Sequence, residues 1–540
     1  MIHALCGKIS ETHAETLPWR LQPGCDLDGD RLRVPVDKRV ALSGAARRFL
    51  RSVTAVPSAA PAPLDRPPRV LTMAGVIGRT VSVPPESRQP LRQIEDAVGE
   101  PLTATTTLET LRRRFEREVG ATPRRVVLDE MATVLRESGV DTPRGSFGEA
   151  EDIGRLPVYE DCERNLRFHI GGGLADILRE GMIPLMRLYR VVAQCAASLL
   201  HERYASALRA VRAASDHEGP VDFQRFLHAV RADPARDIRR TVTSAVRAAL
   251  TAAWDGVCGD KAVVEVEFDD RALEYVAERL AARFPDHDTF RDVLGVGVVS
   301  PDVMIAAPDL RAMDSGHMTV LLGQVRPCVL TALQPVALPF LDRLDDILAT
   351  VDELVCADRI VLAGKDETYR RTRATWPVTP NLYEVVIPGS TSRCPSDRQI
   401  PAGRGRVECR DGLLRFVDRA TGRTDDIVTV LSADLQQVMS EVAADVFGAG
   451  THARLTYRDI VVRRRTWRVS TNEIASAGRP GEDFDDYRAL RAWARRHGLP
   501  RRGYARGESE TGPTYVDWAN PIAVDGFAQQ AQESKEITFT

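Results

Sequence analysis

The sequence lacks the cysteine patterns that mark a disulfide framework or a zinc site. Its nine cysteines are irregularly spaced over 540 residues, and no Cys-x-x-Cys pair occurs. An odd, scattered set of this kind is typical of reduced structural thiols, whereas structural zinc needs closely paired ligands. We therefore expect no metal site.

Long apolar runs are also missing. No stretch approaches the ~18 consecutive apolar residues that a membrane span requires, and the N-terminal segment lacks the charged-then-apolar order of a secretory signal. These absences predict a cytoplasmic protein without a membrane span.

Lysine is scarce in this sequence. Lysine occurs only at positions 8, 38, 261, 365 and 535, so arginine supplies nearly all the basic side chains. The formal net charge of −3 argues against a protein that coats nucleic acid along its whole surface. We expect no DNA partner, although a local basic patch remains compatible with this balance.

The common catalytic signatures are absent as well. The run Gly171-Gly172-Gly173 lacks the Lys-Ser/Thr pair of a phosphate-binding loop, and Gly295-Val296-Gly297 lacks the third glycine of a dinucleotide site. His201-Glu202 is not followed by the second histidine of a zinc protease helix, and no Gly-x-Ser-x-Gly motif occurs. Composition and spacing alone therefore identify no activity.

Regular apolar periodicity is present, and it predicts the fold class. From Leu91 to about Phe290 the spacing is helical, with an apolar stripe that includes Leu174 and Leu185. Pro184 is expected to start a new helix or to kink this one, because proline lacks a backbone donor. Later apolar runs, one of them at Ile427–Leu431, predict strands between Pro/Gly/Ser turns. The sequence thus predicts an α+β protein, helix-rich in its first half and mixed and β-rich in its second.

The N-terminal part has an organisation of its own. A strand at Arg31–Val36, a helix capped near Ser43, a proline-rich linker at 57–68 and a strand at Val76–Val83 predict a degenerate winged-helix-like unit. We expect three regions: 1–90 with this unit, a main domain at 91–527, and a flexible polar tail at 528–540.

One physical feature points to an anionic partner. The segment Tyr487–Arg506 contains seven arginines and no acid, interleaved with Trp493, His497 and Tyr504. Guanidinium groups hold phosphate through paired hydrogen bonds, so such a cluster can bind an RNA backbone. The alternative is a solvated basic helix that is balanced by the acidic stretch Glu482–Asp486 before it.

Five short motifs occur along the chain in a fixed order. They are Pro157–Cys162, Ser300–Ala307, Val320–Gly323, Ile460–Arg463 followed by Trp467, and Leu499–Arg502 followed by Pro513–Asp517. In this order and spacing they resemble the glutamylation domain of lantibiotic dehydratases, enzymes that process ribosomally made peptide natural products. The resemblance extends from about Arg31 to Phe527.

This resemblance implies acyl transfer to a peptide. Members of the family transfer glutamate from glutamyl-tRNA to Ser or Thr side chains of a precursor peptide, and a separate elimination domain then leaves a dehydroamino acid. The related peptide aminoacyl-tRNA ligases append an amino acid to a peptide C-terminus. The implied partners are a precursor peptide and tRNA, with aminoacyl-tRNA as co-substrate and no bound cofactor.

The sequence departs from the family pattern in several places. It shows no Arg-Pro-Thr-Pro-Phe-Gly-like motif near its start, so a partner protein is expected to supply that segment unless the chain has lost it. At Gly323–Arg326 it has Gly-Gln-Val-Arg where the family has Gly-Glu-x-His, which removes a group that titrates near neutral pH. No elimination domain is expected after Phe527. Residues 31–84 lie where the family has a leader-binding winged helix.

The matched motifs supply the candidate site residues. By resemblance, the candidate catalytic residues are Asp161, Asp302 and Arg326. The candidate contacts to tRNA phosphates are Arg463, Arg464, Arg501 and Arg502.

Structural roles remain open for several of these side chains. An aspartate after Ser-Pro, such as Asp302, is also a good helix cap, and Asp161 can close a turn. We interpret Asp517 as an ordering residue that pairs with a nearby arginine. His169, the one candidate general base near the first motif, lies beside the triple glycine and is more typical of a structural histidine at a strand end.

Taken together, these observations predict aminoacyl(glutamyl)-tRNA-dependent transfer to a precursor peptide, with a partner protein completing the active site. The alternative is a non-catalytic peptide-binding or scaffolding protein that keeps the dehydratase fold. The altered segment Gly323–Arg326 favours this alternative.

Overall fold

The computed structural model describes most of the chain beyond residue 88. The described residues are 20–21, 26–28, 31–33, 77–78, 89–140, 170–214, 219–231, 237–258, 264–330, 341, 343–363, 379–387, 390, 392, 394–448, 452–477, 484–507, 513–532 and 534–540.

Helices dominate the first half of the described chain, and further helices alternate with strands in the second. The first set is α1 Pro90–Val98, α2 Thr103–Arg117, α3 Ala121–Glu137, α4 Gly172–Asp176, α5 Met182–Ala213, α6 Phe223–Arg231, α7 Ile238–Cys258 and α8 Asp270–Arg283. The second set is α9 Leu310–Asp314, α10 Leu344–Val351, α11 Ile427–Val430, α12 Ser432–Val442, α13 Thr471–Ala477, α14 Phe484–Arg496 and α15 Pro521–Gln532.

The strands concentrate in the second half, which confirms the α+β prediction. They are β1 Arg20–Leu21, β2 Asp26–Asp28, β3 Arg31–Arg33, β4 Ile77–Gly78, β5 Val221–Asp222, β6 Glu265–Phe268, β7 Val299–Ala306, β8 Thr319–Pro327, β9 Ile360–Leu362, β10 Tyr383–Val386, β11 Gln399–Pro401, β12 Gly405–Arg410, β13 Leu413–Asp418, β14 Thr424–Asp426, β15 Arg454–Tyr457, β16 Ile460–Arg463, β17 Trp467–Ser470, β18 Arg502–Gly507, β19 Thr514–Asp517 and β20 Glu536–Phe539.

Two sheets position the candidate functional residues. The central five-stranded sheet has the order β6-β15-β16-β8-β7, and a four-stranded antiparallel sheet has the order β17-β20-β18-β19. Smaller sheets join β14-β13-β12-β5 and β11-β10-β9. Before residue 89 only β1 to β4 are described, with β1 paired to β4 and β2 to β3. The helix expected after Ser43 and the linker at 57–68 lie outside the described residues, so the winged-helix-like unit stays a prediction.

Helix α5 is the central helix of the main core. Leu185, Leu188 and Val192 are buried along one side of it, as the apolar stripe predicts. By length and composition the helical run Gly172–Ala213 is apolar enough to cross a membrane, but 61% of its most apolar window is buried inside the protein. This burial is what a core helix requires.

Pro184 lies in the first turn of α5, directly after a π-helical turn at Ile177–Gly181. Proline has no N–H, so the carbonyl of Glu180 cannot receive a hydrogen bond from residue 184. Arg458, in the turn between β15 and β16, donates to that carbonyl at 3.2 Å. The helical run therefore changes pitch before the proline and continues through it.

Several hydrophobic clusters organise the described chain, and three of them bear on the domain limits. The main one extends from Leu174 to Val462, a second from Val469 to Phe539, and α1 to α3 pack around a third between Ile94 and Val140. The second cluster includes residues beyond 527. The expected limits 1–90 and 91–527 stay predictions.

The strand expected at Ile427–Leu431 is wrong, because the structure forms helix α11 there. Asp426 precedes the apolar run, and its side chain accepts the backbone N–H of Val428 at 2.8 Å. This is an N-terminal helix cap, which the run of β-branched residues concealed.

The flexible tail expected at 528–540 is also wrong. Helix α15 continues to Gln532, and β20 lies between β17 and β18. The sequence Glu536-Ile-Thr-Phe539 alternates polar and apolar residues, and both Ile537 and Phe539 are 0% exposed. This short alternation inserts a strand into the sheet, and its apolar side chains complete the second cluster.

Replacing Phe539 by Ala is expected to lower the free energy of unfolding by about 3–5 kcal/mol, because a fully buried ring leaves a cavity. Thr538→Ala, on the opposite face of the same strand, is the matched control and should change stability by no more than about 0.5 kcal/mol. Urea unfolding measures both. Equal, small effects would mean that β20 is not part of the core.

Two adjacent carboxylates are buried where β14 meets α11. Asp425 accepts the N–H of Ile360 at 2.9 Å and a guanidinium N–H of Arg359 at 3.3 Å, which joins two sheets. Burial raises the pKa of Asp426 to about 6. A charge held there at neutral pH costs stability.

Asp426→Asn is expected to raise the free energy of unfolding at pH 7 by about 1–3 kcal/mol, since the amide still accepts the Val428 N–H without a buried charge. The folded protein binds this proton more readily than the unfolded chain. Wild-type stability therefore falls as the pH rises from about 4 to about 6. Urea unfolding across this pH range should show a weaker fall in stability for Asp426→Asn. The control Asp485→Asn, at an exposed position, should show the same fall as the wild type. A fall in Asp426→Asn as large as in the wild type would contradict the raised pKa of Asp426.

Candidate functional site

A β-bulge in the central sheet presents Asp302. Strands β7 and β8 are antiparallel, with Val299 opposite Pro327 at one end and Ala306 opposite Thr319 at the other, and their register shifts between Pro301 and Val303. Asp302 lies in that shift. Bulges locally redirect side chains and are frequent near active sites.

Gly323 on β8 lies against the bulge. A Cβ atom at this position would lie 3.2 Å from the backbone oxygen and 3.3 Å from the Cβ of Asp302. A side chain there would push Asp302 away, so the close approach of the two strands favours glycine.

Arg326 pairs with Asp302 across the two strands. Its Nη1 lies 3.0 Å from each carboxylate oxygen, and its Nη2 donates to Oε1 of Gln324 at 3.1 Å. The side chains are partly open to solvent, with 35% of Arg326 and 48% of Asp302 exposed. A guanidinium has five N–H donors, so this arrangement keeps donors for a substrate oxygen while the carboxylate fixes the group's orientation.

The structure thus brings together two of the three predicted catalytic residues. The alternative interpretation of Asp302 as a helix cap is wrong, because the residue lies within β7. Asp161 and His169 lie outside the described residues. Sequence reasoning treated Gln324 only as a departure from the family pattern and missed its contact with Arg326. Its position two residues before Arg326 was the signal that could have indicated this contact.

Arg464 reaches the same region of the sheet. Its Nη2 lies 3.4 Å from the sulfur of Met304, which is two residues after Asp302 and 42% exposed. Alternation along β7 exposes Asp302 and Met304 on the same face. The Arg464 guanidinium therefore lies over the surface that carries the ion pair.

Arg463, its neighbour, has an interior role. Its Nη1 donates to the carbonyls of Phe447 and Gly448 at 3.1 and 2.7 Å. Burial lowers the pKa of the Arg463 guanidinium. In this structure the group satisfies backbone carbonyls rather than facing a solvent-accessible ligand.

Arg501 and Arg502 lie at the edge of the four-stranded sheet, exposed by 69% and 63%. Both approach Asp517, at 3.6 and 3.0 Å. The backbone N–H of Ala519 and the Arg502 guanidinium both lower the pKa of Asp517. Asp517 orders this edge as expected, and both guanidinium groups remain accessible.

The aromatic residues of the arginine-rich segment divide between core and surface. Trp493 is 3% exposed and belongs to the second cluster. His497 contacts the Trp493 carbonyl through Nδ1 and Glu473 through Nε2, each at 3.0 Å. These two residues therefore support the fold, whereas Tyr504 is exposed.

No group of three or more His, Cys, Asp or Glu side chains in the described part of the chain is arranged to hold a metal ion. The candidate site consists of an oriented guanidinium, its carboxylate and a neighbouring arginine. Such a set can bind carboxylate, phosphate or a developing oxyanion.

The Asp302–Arg326 pair is expected to contribute little to stability, because exposed ion pairs contribute about 0–1 kcal/mol. Arg326→Ala should therefore unfold at nearly the wild-type urea concentration. Arg404→Ala is the matched control, since Arg404 pairs with the fully buried Asp418 at 2.6 Å. Its loss should cost about 3–5 kcal/mol. A comparable cost in Arg326→Ala would identify that pair as part of the framework.

Comparison with known proteins gives matches in structure. No protein-family model and no curated protein sequence matches the chain. The chain is similar to the glutamylation domain TbtB from thiomuracin biosynthesis, with a TM-score of 0.59 and 16% identity, over 100% of this chain and 69% of that one. TbtB bound to 5'-phosphodesmethylglutamycin matches with a TM-score of 0.57, 16% identity and the same coverage.

A third similar structure is MibB, a tRNA-dependent lantibiotic dehydratase from a Microbispora species. Its TM-score is 0.57 at 14% identity, over 100% of this chain and 56% of MibB. Identities this low establish the fold alone. For the fold, the resemblance found in the motifs is confirmed: the chain has the fold of the glutamylation domain of lantibiotic dehydratases.

Proposed function

We propose that this protein transfers an aminoacyl group, in the first instance glutamyl, from aminoacyl-tRNA to a precursor peptide during the biosynthesis of a ribosomally made, modified peptide. The observation that carries the proposal is the solvent-accessible Asp302–Arg326 pair on a sheet of the glutamylation-domain fold. The reaction takes place in the cytoplasm, with aminoacyl-tRNA as co-substrate and no bound cofactor.

Arg326 is the proposed electrophilic group. A hydroxyl oxygen of the peptide forms a bond to the ester carbonyl carbon of aminoacyl-tRNA, and the bond to the ribose oxygen breaks. The peptide hydroxyl loses its proton and the departing ribose oxygen gains one, so no oxidant or reductant is needed. A guanidinium aimed at the carbonyl oxygen stabilises the negative charge that develops there. Asp302 holds the guanidinium in position.

Arg464, Arg501 and Arg502 are the proposed contacts to tRNA phosphate. All three are surface groups, and guanidinium–phosphate contacts release counterions. Arg463, whose donors reach two backbone carbonyls, is left out. We also propose that a partner protein takes part in the reaction and completes the active site.

Reconstitution tests the transfer reaction. The full chain is incubated with precursor peptide, glutamyl-tRNA and the product of a neighbouring gene. The mass of the peptide is then measured by mass spectrometry. We expect the added mass of one or more glutamyl groups. Arg326→Ala should reduce the rate by about a hundredfold or more, since loss of one oxyanion donor typically costs that much.

Arg291→Ala is the matched control, because Arg291 is an exposed arginine that also lies near carboxylates. It should transfer at the wild-type rate. No added mass with any combination of partner and aminoacyl-tRNA contradicts the proposal, and so does a wild-type rate in Arg326→Ala.

The second candidate is a non-catalytic peptide-binding or scaffolding protein. It is favoured by the ion pair itself, because both carboxylate oxygens of Asp302 accept from Nη1 of Arg326 and Gln324 accepts from Nη2, so the protein itself occupies both terminal nitrogens. Such a protein would bind the precursor peptide without salt-sensitive binding of tRNA. A transferase should lose tRNA affinity steeply as salt rises.

A further inference from the structure

The four-stranded sheet β17-β20-β18-β19 has one packed face and one exposed face. Ala505, Val516 and Phe539 point into the second cluster. Gly503 faces the same way, because a Cβ there would lie 2.4 Å from the Phe539 ring. The residues that alternate with these are therefore directed to solvent.

Two tyrosines lie side by side on the exposed face. Tyr504 on β18 is paired in register with Tyr515 on β19, and their ring centroids are 5.7 Å apart. Tyr504 is 45% exposed and Tyr515 is 48% exposed. The core on the opposite face is complete without them, so their position is not explained by packing.

Arginines surround this tyrosine pair. Arg502 and Arg506 flank Tyr504 along β18, at alternate positions of the same face. Arg506 and Arg468 both lie opposite Thr538, from the strands on either side of it. The acidic residues that the registers place on this face are Asp517, between Arg501 and Arg502, and Glu536, near Arg468. Arginines outnumber carboxylates, so the face complements a polyanion.

A short segment of chain connects this face to Arg464 at the candidate site. Arg468 follows Arg464 by four residues, and an extended chain of that length spans at most about 14 Å. Arg464 contacts Met304 beside Asp302. The strand that carries Arg468 is thus close in the chain to the residue that contacts the candidate site.

We propose that this face binds an unpaired RNA segment, with bases stacked on Tyr504 and Tyr515 and phosphates held by Arg468, Arg502 and Arg506. Aromatic rings accept any base through its flat surface, and guanidinium groups follow the backbone, which is how single strands are bound without sequence readout. The inference rests on the proposed function, because the unpaired 3′ end of an aminoacyl-tRNA is the segment that must reach the Asp302–Arg326 pair. It assigns the tyrosines a role in binding rather than in the transfer chemistry.

Fluorescence anisotropy with a 5′-labelled, unstructured RNA octamer tests the proposal on the full chain. The double variant Tyr504→Ala/Tyr515→Ala should bind roughly ten- to a hundredfold more weakly. Tyr504→Phe/Tyr515→Phe should keep wild-type affinity, because stacking needs the ring and not the hydroxyl. Tyr275→Ala, which removes a 41% exposed tyrosine from helix α8, is the matched control and should not change binding.

Wild-type affinity in the double alanine variant overturns the inference, and so does an equal loss in Tyr275→Ala. Arg506→Ala gives a second readout that does not disturb the aromatic pair. It should reduce the slope of log affinity against log salt by about 0.7, the value for one phosphate on a single strand, and an unchanged slope counts against the assignment.

The octamer assay requires neither peptide nor aminoacyl group, which separates this inference from the proposed function. Tyrosine-dependent binding of the octamer by a chain that never modifies a peptide refutes the transfer reaction and supports the binding face. Peptide modification with tyrosine-independent RNA binding refutes the binding face alone.

Discussion

Burial of one side of the central sheet is the constraint on which the remaining structure depends. Val320, Leu322 and Val325 of β8 are buried in the main core, so the opposite face of β7 and β8 is directed away from it. Asp302 and Arg326 occupy that outward side. Hydrophobic packing thus fixes the orientation of a polar pair that contributes little packing itself, which is the usual relation between a rigid scaffold and a functional surface.

Much of the fold could be predicted from local sequence, because helices and strands have distinct apolar periods. The helical spacing expected from Leu91 to about Phe290 corresponds to the helices α1 to α8 of the described chain. Local patterns failed where a single contact decided the outcome. The cap of Asp426 turned an apolar run into a helix, and two partner strands gave order to a polar-looking C-terminal segment.

The candidate site was only partly accessible to sequence reasoning. The motifs indicated Asp302 and Arg326 separately, but their contact depends on the register of β7 against β8 and on a bulge that no local pattern specifies. Arg463 and Arg464 show the same limit. The two arginines are adjacent in sequence and alike in chemistry. Arg463 donates to backbone carbonyls in the interior, whereas Arg464 lies beside Met304 on the surface. Spacing could not separate them, because tertiary packing assigns their environments.

The place of β20 in its sheet has a consequence for how the protein is made. Strands β17 and β18 are separated by β20, which is the last of the sheet's strands along the chain. While a nascent polypeptide still lacks residues 536–539, β17 and β18 each have an unpaired edge, and such edges invite aggregation. The surface that carries the arginines and tyrosines therefore cannot assemble before residues 536–539 have been added. Removal of residues 536–539 would leave β17 and β18 without the strand that joins them.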